Sequence, residues 1–341
     1  MFFGKVFLRL RYTVLGKSGV RVSVIGLGFW QIGSRLWGLR DCSLRSRVRE
    51  ALELALFYGI NFLDTAEVYG DGLSEVVLGE VVRALGREYF IVASKVAGYR
   101  VRVGSVIKGV EGINRRLGFK VDLIQMHWPP PYPWPLCWSI RGLEEAVSRG
   151  LAGYYGLSNF PKNLLEKSLQ CSRRFEPVSN QIQYSLVFRV AELDLIPYMR
   201  EVGLTPIAWS PLAKGALAGL REASAPAQIG DRVFTIASRD DILQRTLEEI
   251  AGKRMVSKAQ IALAWLISKG AIPIPGFRSP SRVIEYAKAG DLMLGEDDVR
   301  ALDEVSMKYI HMWGRGYSEL KMLRFIPAFI QWLTIKLMGG I

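Results

Sequence analysis

The chain has 341 residues, half of them hydrophobic and 23% charged, so a packed core is available and disorder is not the default. Its formal net charge of +13 attracts polyanions, yet the basic residues are spread out in short clusters such as Arg45-Arg47-Arg49 and Arg115-Arg116, with no nucleic-acid motif, so no nucleic-acid partner is expected. The three cysteines (Cys42, Cys137 and Cys171) are an odd, widely spaced set that suits neither a disulfide framework nor a zinc site, and with two histidines no metal is expected, which reads as a reducing, cytoplasmic setting.

The opening Met1-Phe2-Phe3-Gly4-Lys5-Val6-Phe7-Leu8-Arg9-Leu10-Arg11 is apolar and basic, but too short and too interrupted by charge for a secretory signal. Residues 12–24 read as a hairpin, with strands 12–15 and 20–24 around Gly16-Lys17-Ser18-Gly19. Short apolar runs then alternate with amphipathic stretches. Strands are predicted at 24–28, 60–64, 90–95, 121–127, 154–158, 179–183, 206–210 and 271–275. Helices are predicted near 43–58, 73–85, 103–118, 140–150, 161–172, 190–202, 241–268 (broken near Gly252) and 280–289. This alternation predicts an α/β protein with a parallel sheet covered by helices, and eight strands is the number that closes a (β/α)8 TIM barrel. The hairpin would cap the barrel bottom; an open doubly wound sheet is the alternative. With no internal repeat or flexible linker, 1–310 reads as one barrel domain and 311–341 as an apolar helical tail.

Two segments leave the alternation. Residues 212–240 show no regular pattern and are rich in Gly, Ala and Ser, and a structureless loop of that length in a compact domain is a functional lid or disordered. From about 317, the polar positions Lys321, Arg324, Gln331 and Thr334 fall near one helical stripe, which predicts an amphipathic helix with a wide apolar face. Pro327 should kink or interrupt it. Such a helix docks on the barrel, or makes a peripheral membrane or protein contact, and is too short to span a bilayer.

Gly26-Leu27-Gly28-Phe29-Trp30-Gln31 begins like the glycine-rich turn of a dinucleotide-binding βαβ unit. The third glycine is missing, no helix follows and no acidic residue ends a second strand at the required distance, so that reading is rejected. No Walker A sequence occurs.

A barrel demands that reactive side chains cluster at the carboxyl ends of its strands. Asp64, Lys95 and His127 end the second, third and fourth predicted strands, and Tyr69 lies five residues beyond Asp64 on the loop over that rim. A free phenol, with a pKa near 10, is a poor acid at neutral pH, and an ammonium beside it favours the phenolate. Asp64 would keep a half-buried Lys95 charged, Lys95 would tune Tyr69, Tyr69 would protonate a developing alkoxide, and His127 would orient the carbonyl oxygen. Any of the four taken alone is more simply a cap, a surface aromatic, a strand-end cation or a structural histidine. The set holds no nucleophile–base pair, which argues against hydrolysis.

Here the sequence resembles the aldo-keto reductase family, from about Tyr12 to Glu304. Asp64-Thr65-Ala66-Glu67-Val68-Tyr69-Gly70, Ser94-Lys95 and Gln125-Met126-His127-Trp128 look like its aspartate-to-tyrosine, lysine and histidine motifs. Gly156-Leu157-Ser158-Asn159-Phe160 is similar to the segment whose Ser-Asn pair holds a nicotinamide carboxamide, with Gln181 as its partner. Trp209-Ser210-Pro211-Leu212 resembles the segment whose aromatic ring stacks on the nicotinamide, which places Leu212, Lys214 and Gly215 along the pyrophosphate. The resemblance also implies Gly28, Phe29, Trp30 and Asp64 beside the cofactor. Ile274-Pro275-Gly276-Phe277-Arg278-Ser279-Pro280-Ser281-Arg282-Val283-Ile284-Glu285 resembles the adenosine-phosphate segment, with Arg282 where related reductases contact the 2′-phosphate, Glu285 where they contact adenine, and Gly276 and Arg278 also beside the cofactor. Tyr286 stands where related sequences often carry asparagine.

The resemblance thus implies an NADP(H)-dependent reductase of aldehydes or ketones, or the reverse alcohol oxidation, with NAD(H) as the other candidate cofactor and no metal. Trp30, Tyr69, His127 and Trp128 would line the substrate pocket, and aromatic walls suit apolar or aromatic carbonyls. Two other functions compete. One is a non-catalytic, cofactor-sensing auxiliary subunit that binds another protein or a membrane surface through 317–341, since the family includes ion-channel subunits. The other is a phosphate-binding barrel isomerase.

Overall fold

The computed structural model describes residues 10–37, 41, 43–313 and 319–341; the opening stretch 1–9, Cys42 and residues 314–318 at the start of the tail lie outside them. Strands β1 (Tyr12–Val14) and β2 (Arg21–Ser23) form the antiparallel hairpin. Eight parallel strands follow: β3 (Leu27–Gly28), β4 (Phe62–Asp64), β5 (Ile91–Val96), β6 (Val121–Met126), β7 (Ala152–Ser158), β8 (Ser179–Gln183), β9 (Thr205–Trp209) and β10 (Ile272–Pro273). Each pairs with its neighbour in chain order. The ring closes where Gly26 and Gly28 donate their N–H groups to Pro273 and Pro275 at 2.9 and 3.0 Å.

Most strands read as short, largely apolar runs because one face meets the helices and the other the barrel interior; β8 is the exception, with the polar sequence Ser-Asn-Gln-Ile-Gln buried throughout. At the bottom of that interior Phe62, Ala93, Leu123, Ile207 and Ile272 pack with Leu15 and Val22 of the hairpin, which plugs the barrel. The helices are α1 (Leu44–Tyr58), α2 (Leu73–Leu85), α3 (Val103–Leu117), α4 (Leu136–Ser148), α5 (Lys162–Cys171), α6 (Leu195–Glu201), α7 (Arg232–Arg239), α8 (Asp241–Arg254), α9 (Lys258–Ser268), α10 (Ser281–Asp291), α11 (Glu296–Ser306), α12 (Tyr309–Met312) and α13 (Ala328–Met338).

Several local expectations are corrected. The stretch 212–240 is not structureless: it holds a 3-10 turn at Ala213–Ala218 and then α7, whose first turn is capped by Asp231 accepting from Phe234 N–H. The break in 241–268 falls at Met255, which is left-handed at φ 53°, because Ser257 and Gln260 form a capping box that starts α9 there. Cys137 and Cys171 form a disulfide with Cα atoms 5.1 Å apart. The barrel lays α4 beside α5 and brings together two cysteines whose sequence spacing carried no such signal, so the cysteines no longer argue for a reducing setting.

Pro327 interrupts the tail as expected: a 3-10 helix at Glu319–Phe325 precedes it, and it stands at the N-cap of α13, a position where its missing N–H costs nothing. Gln331 is the residue of α13 turned inward, whereas Phe329, Trp332 and Leu337 are exposed. The apolar side of this helix therefore faces away from the barrel. Among the described residues no helix is long and apolar enough to cross a membrane.

Candidate active site

Parallel register places the reactive groups at one rim. Asp64 ends β4, Lys95 lies near the end of β5, His127 follows β6, and Tyr69 opens a 3-10 turn just beyond Asp64. Lys95 Nζ donates to Asp64 Oδ1 at 2.5 Å, to the carbonyl of Thr65 at 2.9 Å and to the phenol oxygen of Tyr69 at 3.2 Å. These three bonds use every donor of the ammonium. Because the Tyr69 oxygen accepts from Lys95, its own proton stays available to the cavity. Asp64 Oδ2 accepts from Gln125 Nε2 at 3.1 Å and Gln181 Nε2 at 2.8 Å. The His127 ring lies edge-on to Tyr69, with centroids 5.6 Å apart.

Burial sets the charge states. It pushes the Tyr69 phenol above its ordinary range; Lys95 opposes that shift, and Asp64 adds to it. The ammonium therefore offsets only part of the burial effect, and the phenol is protonated at neutral pH. Burial pulls at Lys95 too, but Asp64 and then Tyr69 outweigh it and hold the amine charged. His127 is pushed well below the ordinary imidazole range by burial and by Lys95, so it is neutral.

These groups open onto a cavity of about 540 Å³. Its wall includes Gly28, Trp30, Asp64, Tyr69, His127, Ser158, Asn159, Gln181, Trp209, Ser210, Pro211, Leu212, Lys214, Gly215, Gly276, Arg278 and Arg282, all expected from sequence. Lys95 lies behind Tyr69, fully buried. Phe29 is not on the wall; its ring packs in the core against Phe277. Glu285 lines a shallower neighbouring pocket with Arg282, and its carboxylate bonds Arg282 Nη1 at 2.6 Å and Ser257 Oγ at 2.5 Å. Trp128 is buried outside the wall, with its Nε1 donating to Gln331 Oε1.

Local backbone geometry shapes the wall. Ser210, Ala213 and Lys214 have φ of 52°, 47° and 55°, a left-handed cluster of the kind found at binding sites. Lys214 pairs with Asp231, which ties this segment to the cap of α7. Gln228 bonds the Lys214 carbonyl and the Ser224 and Ala225 amides, folding 224–228 over the same segment. Asn159, also left-handed at φ 62°, donates to the His127 carbonyl and accepts from Trp209 Nε1 at 2.9 Å. The Nε1 atoms of Trp30 and Trp37, Gln31 Oε1 and Ser210 Oγ are buried without a partner among the described residues.

Sequence reasoning missed Gln125, Gln31, Trp37, Gln228 and Ile341. A signal existed for Gln125, which precedes His127 by two in a strand and so shares its inward face. Gln31 and Trp37 sit in irregular chain, and Ile341 reaches the cavity only through the folding-back of the tail.

Comparison with known proteins follows the same pattern. Residues 24–307 match the model of the aldo/keto reductase family. An uncharacterized oxidoreductase of Mycobacterium tuberculosis is 35% identical over 299 residues, covering 85% of this chain and 91% of that protein. A probable voltage-gated potassium channel subunit beta of Oryza sativa subsp. japonica is 29% identical, covering 83% and 92%. The crystal structure of an aldo-keto reductase from Klebsiella pneumoniae in complex with NADPH superposes with a TM-score of 0.73 at 27% identity, covering 91% of this chain and 99% of that one.

Proposed function

The chain belongs to the aldo/keto reductase family of oxidoreductases, and from that premise we propose that it reduces aldehydes or ketones to alcohols with NADPH, or runs the reverse, with Tyr69 as the proton donor. The observation that carries this reading is the Lys95 ammonium shared between Asp64 and the Tyr69 oxygen inside the cavity. We read 1–310 as the catalytic barrel and 311–341 as an appended tail.

The cavity suits a nicotinamide dinucleotide phosphate. Ser210, whose buried Oγ has no partner among the described residues, stands on its wall with Arg278 and Arg282. Ser158, Asn159 and Gln181 would hold the carboxamide, and Trp209 would stack on the ring. Leu212, Lys214 and Gly215 would run along the pyrophosphate, Arg278 and Arg282 would meet the 2′-phosphate, and Glu285 would meet adenine. When bound, the cofactor supplies the hydride.

The chain's own groups handle the proton. Tyr69 gives its proton to the carbonyl oxygen as negative charge develops there, and Lys95, 3.2 Å away, stabilises the phenolate left behind. Neutral His127 orients that oxygen by hydrogen bonding. Asp64, held by Gln125 and Gln181, keeps Lys95 charged and in place. Trp30, Trp37 and Tyr69 give the substrate end an aromatic lining, which suits small apolar or aromatic carbonyls.

Titration of NADPH fluorescence, followed by a carbonyl panel with NADPH and NADH, tests the proposal. Saturable binding and faster oxidation of NADPH than NADH by aromatic aldehydes are expected. Binding without oxidation across the panel would overturn it.

The exposed apolar side of α13 favours a second reading: a cofactor-sensing, non-catalytic subunit in the cytoplasm, held to a membrane surface or partner protein by its tail. Sedimentation with anionic liposomes of the intact protein and a Phe329→Gln/Leu337→Gln variant checks its membrane form, which fails if both stay in the supernatant.

A further inference from the structure

Strand β4 ends at Asp64, but its ladder of hydrogen bonds with β5 runs on. Thr65 N–H donates to the Ala93 carbonyl at 2.9 Å, and Glu67 N–H donates to the Lys95 carbonyl at 3.1 Å. In an evenly spaced parallel ladder the next bond would run from Ala97 N–H to the carbonyl of Glu67. Ala97 N–H goes instead to the side chain of Glu67, at Oε1, over 2.7 Å. A carboxylate thus takes the rung, and the backbone is released from the sheet. Val68, at φ −91° and ψ −7°, then opens the turn that carries Tyr69.

That carboxylate is itself fixed. Arg100 Nε lies 2.8 and 3.0 Å from the two oxygens of Glu67, and Arg100 Nη2 donates to Oε2 at 2.7 Å. A forked guanidinium sets direction as well as distance. Arg100 Nη1 is anchored in turn on the Ser105 carbonyl at 3.1 Å. Gly109 of α3 makes the room, since a Cβ there would stand 2.7 Å from Arg100 Cδ and Nε. The Glu67 side chain is 4% exposed, and neither residue is on the cavity wall.

We infer that Glu67, held by Arg100, is a positioning residue for the proton donor: its carboxylate replaces a backbone rung and so sets the 3.2 Å reach between Lys95 Nζ and the Tyr69 oxygen. This rests on the reductase reading in taking Tyr69 as the proton donor. Glu67 precedes Tyr69 by two positions and bonds β5 on both sides of Val96, so losing the rung lets the Tyr69 turn drift from Lys95.

The test compares Glu67→Ala, which removes the rung, with Glu67→Gln, which keeps an oxygen for Ala97 N–H but no charge. One readout is ionisation of the Tyr69 phenol in the intact, cofactor-free protein, followed by fluorine NMR after labelling with meta-fluorotyrosine, with Tyr69→Phe identifying the signal. The titratable groups around that phenol are Asp64, Lys95 and His127, and none is altered. Burial raises the phenol and Lys95 opposes it, so a longer contact moves the ionisation to higher pH. Removing an anion acts in the other direction, so the sign separates positioning from a direct effect of charge. The second readout is single-turnover NADPH oxidation measured beside NADPH affinity.

Glu67→Ala is expected to ionise at higher pH and to turn over about ten- to a hundredfold more slowly, with NADPH affinity unchanged. Glu67→Gln should stay close to the parent in both. An ionisation that stays in place or falls in Glu67→Ala would overturn the inference, as would equal behaviour of the two variants. If Glu67→Ala fails to fold, Arg100→Gln decides: it leaves the carboxylate unfixed, so a smaller rise supports the role and no rise removes it. A raised ionisation in a protein whose parent never oxidises NADPH would sink the reductase reading and leave the positioning role standing.

Discussion

The ammonium of Lys95 lies 2.5 Å from Asp64 Oδ1, with the two side chains 0% and 2% exposed. Removing one member of such a pair leaves a bare charge in the interior, which costs about 3–5 kcal/mol. Asp64→Ala should therefore lower the unfolding free energy by about that amount in urea denaturation. The exposed pair Lys17–Glu176, at 65% and 62%, serves as the control, since breaking it costs only about 0–1 kcal/mol. Equal effects at the two sites would show that the buried pair does not hold the rim together.

The pH profile of reduction follows from two shifted groups. His127 is held well below the ordinary imidazole range, so it stays neutral as pH falls through about 6.5. Tyr69 is held above the ordinary phenol range, so it keeps its proton as pH rises toward about 10. The reduction rate should therefore show no acid limb near neutrality and should fall only above the usual phenol range. An acid limb near pH ~6.5 that disappears in His127→Gln would contradict the neutral imidazole.

Arg282 Nη1 already pairs with Glu285 at 2.6 Å, so a 2′-phosphate must compete with a carboxylate for it. A charged hydrogen bond contributes about 1.5–3 kcal/mol, roughly tenfold or more in affinity. Arg282→Ala should weaken NADPH binding by about tenfold and leave NADH binding nearly unchanged, with the difference shrinking at high salt. Fluorescence titrations with both cofactors check this, and matching losses would remove Arg282 from phosphate recognition.

Asn159 fixes Trp209 through a 2.9 Å bond while sitting at φ 62°. Asn159→Gly keeps that backbone and removes only the side chain. NADPH affinity should fall about tenfold with little change in thermal midpoint, whereas Asn159→Ala should also lose about 1–2 kcal/mol of stability from the left-handed backbone. Full cofactor affinity in Asn159→Gly would show that Trp209 needs no such anchor.

Much of this architecture was legible before any coordinates. Most of the strands are legible as short apolar runs between helical stretches, although β8 (Ser179–Gln183) is largely polar, and Asp64, Lys95 and His127 are legible because each falls where an apolar run ends. What stayed hidden depends on long-range packing. The pairing of Cys137 with Cys171 requires α4 and α5 to be neighbours. Helix α7 hides in a glycine- and alanine-rich stretch whose start is marked only by the Asp231 cap. In α13 the polar stripe suggested a face toward water, but Gln331 turns inward because Trp128 offers a buried indole N–H that needs an acceptor. Ile341 lies on the cavity wall through contacts more than 200 residues distant in the chain, such as its N–H to the Val68 carbonyl.

The most direct measurement is single-turnover oxidation of bound NADPH by an aromatic aldehyde in the parent and in Tyr69→Phe, each with its NADPH affinity determined in parallel. Loss of the phenol proton should slow the step by about 10²–10⁴-fold while cofactor affinity stays the same. An unchanged rate in Tyr69→Phe would mean that the proton comes from elsewhere and that the Asp64–Lys95–Tyr69 relay does not perform the chemistry.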